Sequence, residues 1–166
     1  MIAMILPGSF TTPPAMVSTA SSSPQPCWTQ APQQLAPGNG TTAVADALAW
    51  LQALAAGHGW SSRTVSTLLL CADEALANIA MHARRPDGER ARIWLACGPT
   101  DAGVGVLIED DGVAFNPVTQ PSSALAASLD EAEIGGHGLR LLRHYLRQMQ
   151  YGREAERNLL YMELEI

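Results

Sequence analysis

Hydrophobic positions along the chain follow two different spacings. Between Thr41 and Ala83 apolar residues recur at intervals of three and four, the signature of one buried helix face. Val44, Leu48, Leu51 and Leu54 mark a first helix, capped by Thr41 or Thr42 and ended near Ala56 by Gly57-His58-Gly59. Val65, Leu68, Leu69, Ala72, Leu76 and Ile79 mark a second, capped by Ser61 or Ser62 and running to about Ala83. Beyond the turn Pro86-Asp87-Gly88 the apolar residues bunch into short runs. These predict strands over Ala91 to Cys97 and Val104 to Glu109, with a hairpin across Gly98 to Gly103. From Asp110 to about Gly136 the chain is irregular and polar, apart from a short helix predicted near Ser122 to Leu129. Helical spacing returns over Gly138 to Arg147, and two further strands follow near Gln148 to Arg153 and Asn158 to Ile166, turning at Glu154 to Arg157. No internal repeat is visible. This order predicts a two-layer α/β sandwich, in which a mixed, mainly antiparallel sheet is covered on one face by about three helices.

The first forty residues stand apart. They contain no charged side chain, Asp46 being the first, and they are rich in Pro, Ser, Thr, Gln and Ala. The turn signals Thr12-Pro13-Pro14 and Pro37-Gly38-Asn39-Gly40 punctuate them. Such a stretch does not bury enough apolar surface to order itself alone. Residues 1–40 are therefore expected to be a tail, contributing at most an edge strand from Cys27-Trp28-Thr29 or Ile2 to Leu6, and residues 41–166 the folded domain.

Composition narrows the chemistry. The 166 residues carry a net charge of −6, which argues against a phosphate backbone as partner. All ten basic residues are arginine, so amine chemistry is absent: no Schiff base and no Walker A lysine. Phosphates would have to be held by backbone amides, arginine or a metal. Cys27, Cys71 and Cys97 are scattered and odd in number, against a disulfide framework or a zinc site. Met1 to Leu6 lacks the positive flank of a signal peptide, and no uninterrupted apolar run reaches the ~18 residues of a membrane span. The expected compartment is the cytoplasm, without membrane contact.

Three segments can carry chemistry. Glu74, Asn78 and His82 lie four apart on the second helix and so form one polar stripe. A carboxylate and an amide one turn apart suit a hard cation with its waters, or a hydroxyl to be deprotonated. The same stripe is also what a solvated helix face looks like. Asp110-Asp111-Gly112-Val113-Ala114-Phe115 sits where a buried strand ends, where a carboxylate can accept from an exocyclic amine and a glycine lets backbone turn closely around a flat ring. An acidic turn after a strand is also common. Gly135-Gly136-His137-Gly138-Leu139 opens a helix with exposed amides, which favours anions, although glycines cap helices for structural reasons too.

In this order the three segments resemble the GHKL ATPase family, and within it the bacterial anti-sigma serine kinases. Glu74 to Asn78 resembles the N box, Asp110 to Phe115 the Asp-x-Gly-x-x-Phe glycine box, and Gly136 to Leu139 the Gly-x-Gly-Leu box. The resemblance spans roughly residues 41–166. It implies the Bergerat ATP-binding fold and ATP with Mg2+ as cofactors. It implies Glu74 as general base, Asn78 as magnesium ligand, Asp110 as reader of the adenine amine, and Gly112 and Phe115 beside the ring. Gly136, His137, Gly138 and Leu139 would border the triphosphate, and Asn116 to Gly135 would form a lid over it. It further implies an anti-sigma factor with serine/threonine kinase activity, a sigma factor and a STAS-type anti-anti-sigma protein as partners, and a homodimer as the assembly relatives often form.

The chain departs from the pattern in two ways that bear on transfer. Ala114 and His137 stand where relatives often carry Gly and Arg, and no arginine occurs from Asn116 to His137. Phosphoryl transfer needs its developing charge compensated. A regulatory module that binds ATP, or only a partner, without transferring phosphate is thus the alternative expectation, and an unrelated α/β domain the third.

Overall fold

The computed structural model describes residues 23–120 and 137–166. In chain order it contains β1 (Gln33–Asn39), α1 (Gly40–His58), α2 (Ser62–His82), β2 (Arg92–Pro99), β3 (Gly103–Asp110), α3 (His137–Tyr145), β4 (Gln148–Glu154) and β5 (Arg157–Glu165). The short helix predicted near Ser122 to Leu129 lies outside the described residues.

The helices form where the spacing of apolar residues predicts. Ser61 caps α2, its hydroxyl accepting from Thr64 N at 3.1 Å, and Ala83 N closes the other end on Ile79 O at 2.8 Å. A cap contributes about 1 kcal/mol, whereas each fully buried leucine contributes about 2 kcal/mol. With Leu68 and Leu76 of α2 and Leu51 of α1 all sequestered, packing rather than capping fixes these helices. By length and mean hydropathy α2 would qualify as a membrane span, which the absence of an uninterrupted apolar run does not reveal. Its apolar face is spent on the core instead: Leu68, Cys71, Ala72, Ala75, Leu76 and Ala80 are buried there.

The five strands form one sheet in the order β1-β2-β3-β5-β4. Alternation decides the faces. Ile93, Leu95 and Cys97 of β2, Val104, Val106 and Ile108 of β3, and Leu160, Met162 and Leu164 of β5 point into the helix-covered core. Leu142 of α3 joins them. The sheet expected to be mixed is antiparallel at every pairing among the described residues. The reason is the last hairpin. α3 returns the chain parallel to β3, but β5 inserts between β3 and β4, so no parallel neighbours meet. That hairpin turns on two residues, Ala155 (φ 47°) and Glu156 (φ 63°), both left-handed without being glycine.

The amino-terminal segment differs from its expectation. The edge strand is Gln33–Asn39, running through the Pro37-Gly38 pair read as a turn, with a register shift between Leu35 and Gly38. Proline is tolerated there because an outer strand has an unpaired edge and a bulge absorbs the missing donor. Trp28, placed on a candidate strand, makes a single bridge to Thr100, and Thr29 N donates to Pro99 O at 3.0 Å. Trp28 lies across the sheet face opposite the helices: a Cβ on Gly105 would come within 2.7 Å of its Cζ3, and its ring meets Tyr161 edge-on at 6.1 Å. Further back, Pro24 and Ser23 pack on Gly152 in the same manner. This strap buries Tyr161 to 2% exposure on what would otherwise be an open face.

Candidate functional site

α2 is the spine of the site. Its stripe places Glu74 and Asn78 half-buried and His82, the last residue of the helix, exposed. The first turn of α3 lies directly on this stripe. A Cβ added to Gly138 would collide with Glu74 Oε2 and lie 3.6 Å from the Asn78 carboxamide, so only glycine admits this approach. Two sequence-predicted segments, sixty residues apart, thus meet. The leading N–H groups of α3 have no acceptor within the helix, which makes this end favourable for an anion. His137 is the first residue of α3 and Leu139 packs against the core, while Gly136 lies outside the described residues.

Just past the carboxy-terminal end of α2, five to six residues beyond Asn78, stands the second half of the site. Val113 N donates to Arg84 O at 2.8 Å, and Gly112 is packed so that a Cβ there would approach Ala83 Cβ to 3.2 Å. Asp110, the last residue of β3, is 5% exposed. Its Oδ1 accepts from Gly112 N and from Asn158 Nδ2, each at 2.9 Å, and Oδ2 has no partner among the described residues. Burial raises the pKa of Asp110 above the ordinary carboxylate value, with the Asn158 and Gly112 donors opposing the shift and Asp111 adding to it. A desolvated carboxylate with one oxygen fixed and one open is an acceptor of defined direction, as an exocyclic amine requires.

The residue that organises this half was not anticipated. Asn158 donates to Asp110 and to Val113 O (3.0 Å), and its Oδ1 accepts from Tyr151 Oη (2.8 Å), Arg153 Nη1 (2.9 Å) and, more weakly, Phe115 N (3.4 Å). Arg153 Nη1 also reaches Gly112 O at 3.1 Å. The available signal was an asparagine in phase with Leu160, Met162 and Leu164, a polar group on a strand's buried face. Phe115 itself is brought to the rim, with its side chain 56% exposed.

Of the segment expected to form a lid, only Asn116 to Gln120 is described. Asn116 Oδ1 accepts from Val118 N at 2.9 Å, and Arg143 Nη2 of α3 donates to the carbonyls of Val118 (3.2 Å) and Gln120 (2.6 Å). Among the described residues no group of three or more His, Cys, Asp or Glu side chains is placed to hold a metal ion. A cation beside Asn78 would have to share it with oxygens of a ligand, the manner in which Mg2+ binds phosphates.

The neighbouring carboxylate has the opposite character. Asp111 accepts from Arg92 N at 2.7 Å and Arg92 Nε at 2.8 Å, with Arg85 Nε at 3.7 Å. Burial opposes its ionisation, but the Arg92 hydrogen bonds and the charges of Arg92 and Arg85 outweigh this and lower its pKa.

Comparison with known proteins agrees with this arrangement. Residues 39–164 match the family model of the histidine kinase-like ATPase domain, a range that includes α2, Asp110, α3 and the β4–β5 hairpin. The chain is also 47% identical over 112 residues to the serine/threonine-protein kinase BtrW of Bordetella bronchiseptica, covering 68% of this chain and 78% of that protein. With the match extending over most of its length, the chain belongs to the histidine kinase-like (GHKL) ATPase family.

Proposed function

We propose that this protein binds Mg-ATP and transfers the terminal phosphoryl group to serine or threonine of a small antagonist protein, acting in the cytoplasm as an anti-sigma regulatory factor. The observation that carries the reading is the apposition of Gly138 with Glu74 and Asn78 in the carboxy-terminal half of α2, with Asp110 and its open oxygen on the loop packed against the end of that same helix. Glycine at the contact lets the first turn of α3 close directly onto the Glu74 carboxylate, and an amide beside a carboxylate and a helix N-terminus fits a phosphate-bound hard cation. The 47% identity to a serine/threonine kinase supports the choice of acceptor.

Each residue then has one task. Asp110 Oδ2 accepts from the adenine amine, with Asn158 holding the carboxylate in place. Gly112 and Phe115 flank the ring. Asn78 shares the cation, and Gly136, His137, Gly138 and Leu139 border the phosphates. When bound, Mg2+ supplies charge compensation for the phosphates. Glu74 takes the proton from the attacking hydroxyl. A sigma factor and a STAS-type antagonist are the proposed partners, and self-association into a homodimer the proposed assembly.

The test is transfer of label from γ-labelled ATP with Mg2+ to candidate antagonists. Transfer that disappears in Glu74→Gln while nucleotide binding persists is the expected result. Binding with no transfer to any acceptor would instead favour a regulatory module without kinase activity, the reading that the absence of arginine from Asn116 to His137 supports.

A further inference from the structure

The chain's arginines are unevenly distributed. Of its ten arginines and sixteen carboxylates, a cleft of about 320 Å³ is lined by four of the former, Arg85, Arg92, Arg153 and Arg157, and two of the latter, Asp111 and Glu156. The rest of the sequence therefore holds six arginines against fourteen carboxylates. This cleft lies behind the loop 110–113, on the far side from the Asp110 carboxylate, between the start of β2 and the β4–β5 turn.

Two of these arginines are largely engaged: Arg85 pairs through Nη2 with Asp87 at 3.0 Å and through Nε with Asp111 at 3.7 Å, while Arg153 donates through Nη1 to Gly112 O and Asn158 Oδ1 and through Nη2 to Glu156, so the outward donors belong to Arg92 and Arg157. Arg92 reaches Asp111 through Nε, leaving both terminal nitrogens without a partner among the described residues, and its side chain is 54% exposed. Arg157 spends Nη1 on Glu109 at 3.2 Å and stays 42% exposed. Both guanidinium groups rest on the Trp94 ring, at 5.4 Å and 4.0 Å from its centroid. Stacking fixes their planes, so outward donors are presented with little rotamer entropy left to lose. Guanidinium forks of this kind match carboxylates bidentately.

We propose that this cleft docks an acidic polypeptide segment, rich in Asp and Glu, of a partner protein. Charge complementarity selects this occupant. A nucleic-acid backbone needs an extended basic face, whereas outside this cleft the chain carries an excess of carboxylates over arginines that would repel it. A cleft of this volume accepts a few side chains of a peptide. The inference is independent of the kinase reading, because its test uses no nucleotide.

The experiment titrates the whole chain into a fluorescein-labelled octapeptide of alternating Asp and Glu, followed by anisotropy, and records the four tryptophan indole signals by NMR. Saturable, salt-sensitive binding that moves the Trp94 signal and leaves Trp28, Trp50 and Trp60 in place is expected. Arg92→Gln with Arg157→Gln should weaken binding about tenfold, while the charge-matched pair Arg63→Gln with Arg147→Gln should change it by less than about twofold. The proposal is overturned if no binding occurs, if both pairs of substitutions weaken it equally, or if an oligothymidylate of the same charge binds more tightly at Trp94.

Discussion

Asp110 and Asp111 are adjacent and chemically identical, yet they belong to different regions of the molecule. Asp110 faces the proposed nucleotide site, buried, held by neutral amide donors, with its pKa raised. Asp111 faces the arginine cleft, held by Arg92 and Arg85, with its pKa lowered. The period of two along an extended chain sends successive side chains to opposite faces, and the end of β3 uses that parity to give one loop two surfaces. A carboxylate with no direct arginine contact, the charge of Arg153 acting on it only at a distance, remains available to a ligand, whereas one bonded to arginine is committed to structure. The contrast teaches that function at this loop is assigned by partners, not by residue type.

Substitutions can break that contrast. The largest effect is expected from Asp110→Asn, which turns the open acceptor into a donor facing the adenine amine. ATP affinity, measured by calorimetry, should fall about 100-fold, or about 2.7 kcal/mol. Thermal stability should not fall with it. The folded Asp110 holds its proton to higher pH than the unfolded chain does, so its contribution to stability declines as pH rises through that interval, and the variant escapes the decline. A lower melting temperature at neutral pH would show that Asp110 is structural after all.

Asn158→Ala should come next. It strips Asp110 of its amide donor and leaves Arg153, Tyr151 and Phe115 N without their acceptor. About 2 kcal/mol of stability should be lost in denaturant unfolding, together with nucleotide affinity. Loss of affinity alone would mean that the network orients Asp110 without supporting the fold.

Two smaller effects belong to the outer region. Replacing Ala155 and Glu156 by Asn and Gly gives the left-handed turn residues that adopt it readily. Stability should rise by about 1 kcal/mol, with ATP affinity unchanged. Asp111→Asn should cost about 0.5 kcal/mol, as a largely solvent-screened ion pair does, and again leave ATP affinity in place. The lowered pKa fixes the sign: Asp111 stabilises the fold above the ordinary carboxylate value of 3.8, and the stabilisation disappears as pH falls below it. The difference between variant and parent should therefore shrink in acid and stay level above pH 5.

The parts of this molecule legible in its sequence are those set by local periodicity. The stripes of α1 and α2, the hairpins and the helix beginning at His137-Gly138 all follow from spacing and turn residues. β1 was obscured because Gln33-Gln34-Leu35-Ala36-Pro37-Gly38-Asn39 neither alternates nor avoids proline, and only pairing with β2 makes it a strand. The site divides in the same way. Glu74, Asn78, Asp110 and Gly138 are visible as motifs, since each sits at a recognisable helix or strand terminus. Asn158, Arg153 and Tyr151 are not, because their meaning depends on the register that sets Asn158 opposite Asp110. The arginine cleft is assembled from separate stretches of chain, none of which is basic enough to be noticed alone.

The strap across the back of the sheet has a consequence for how the protein is divided. The segment matched by the family model begins at residue 39, but Trp28 and Pro24 pack on Gly105 and Gly152 well inside it, and β1 begins at Gln33. A chain shortened to the matched segment would keep every motif residue and yet uncover Tyr161 and lose an edge strand. The family boundary is thus narrower than the unit of folding, and a protein trimmed to it is expected to be less soluble for reasons unrelated to its chemistry.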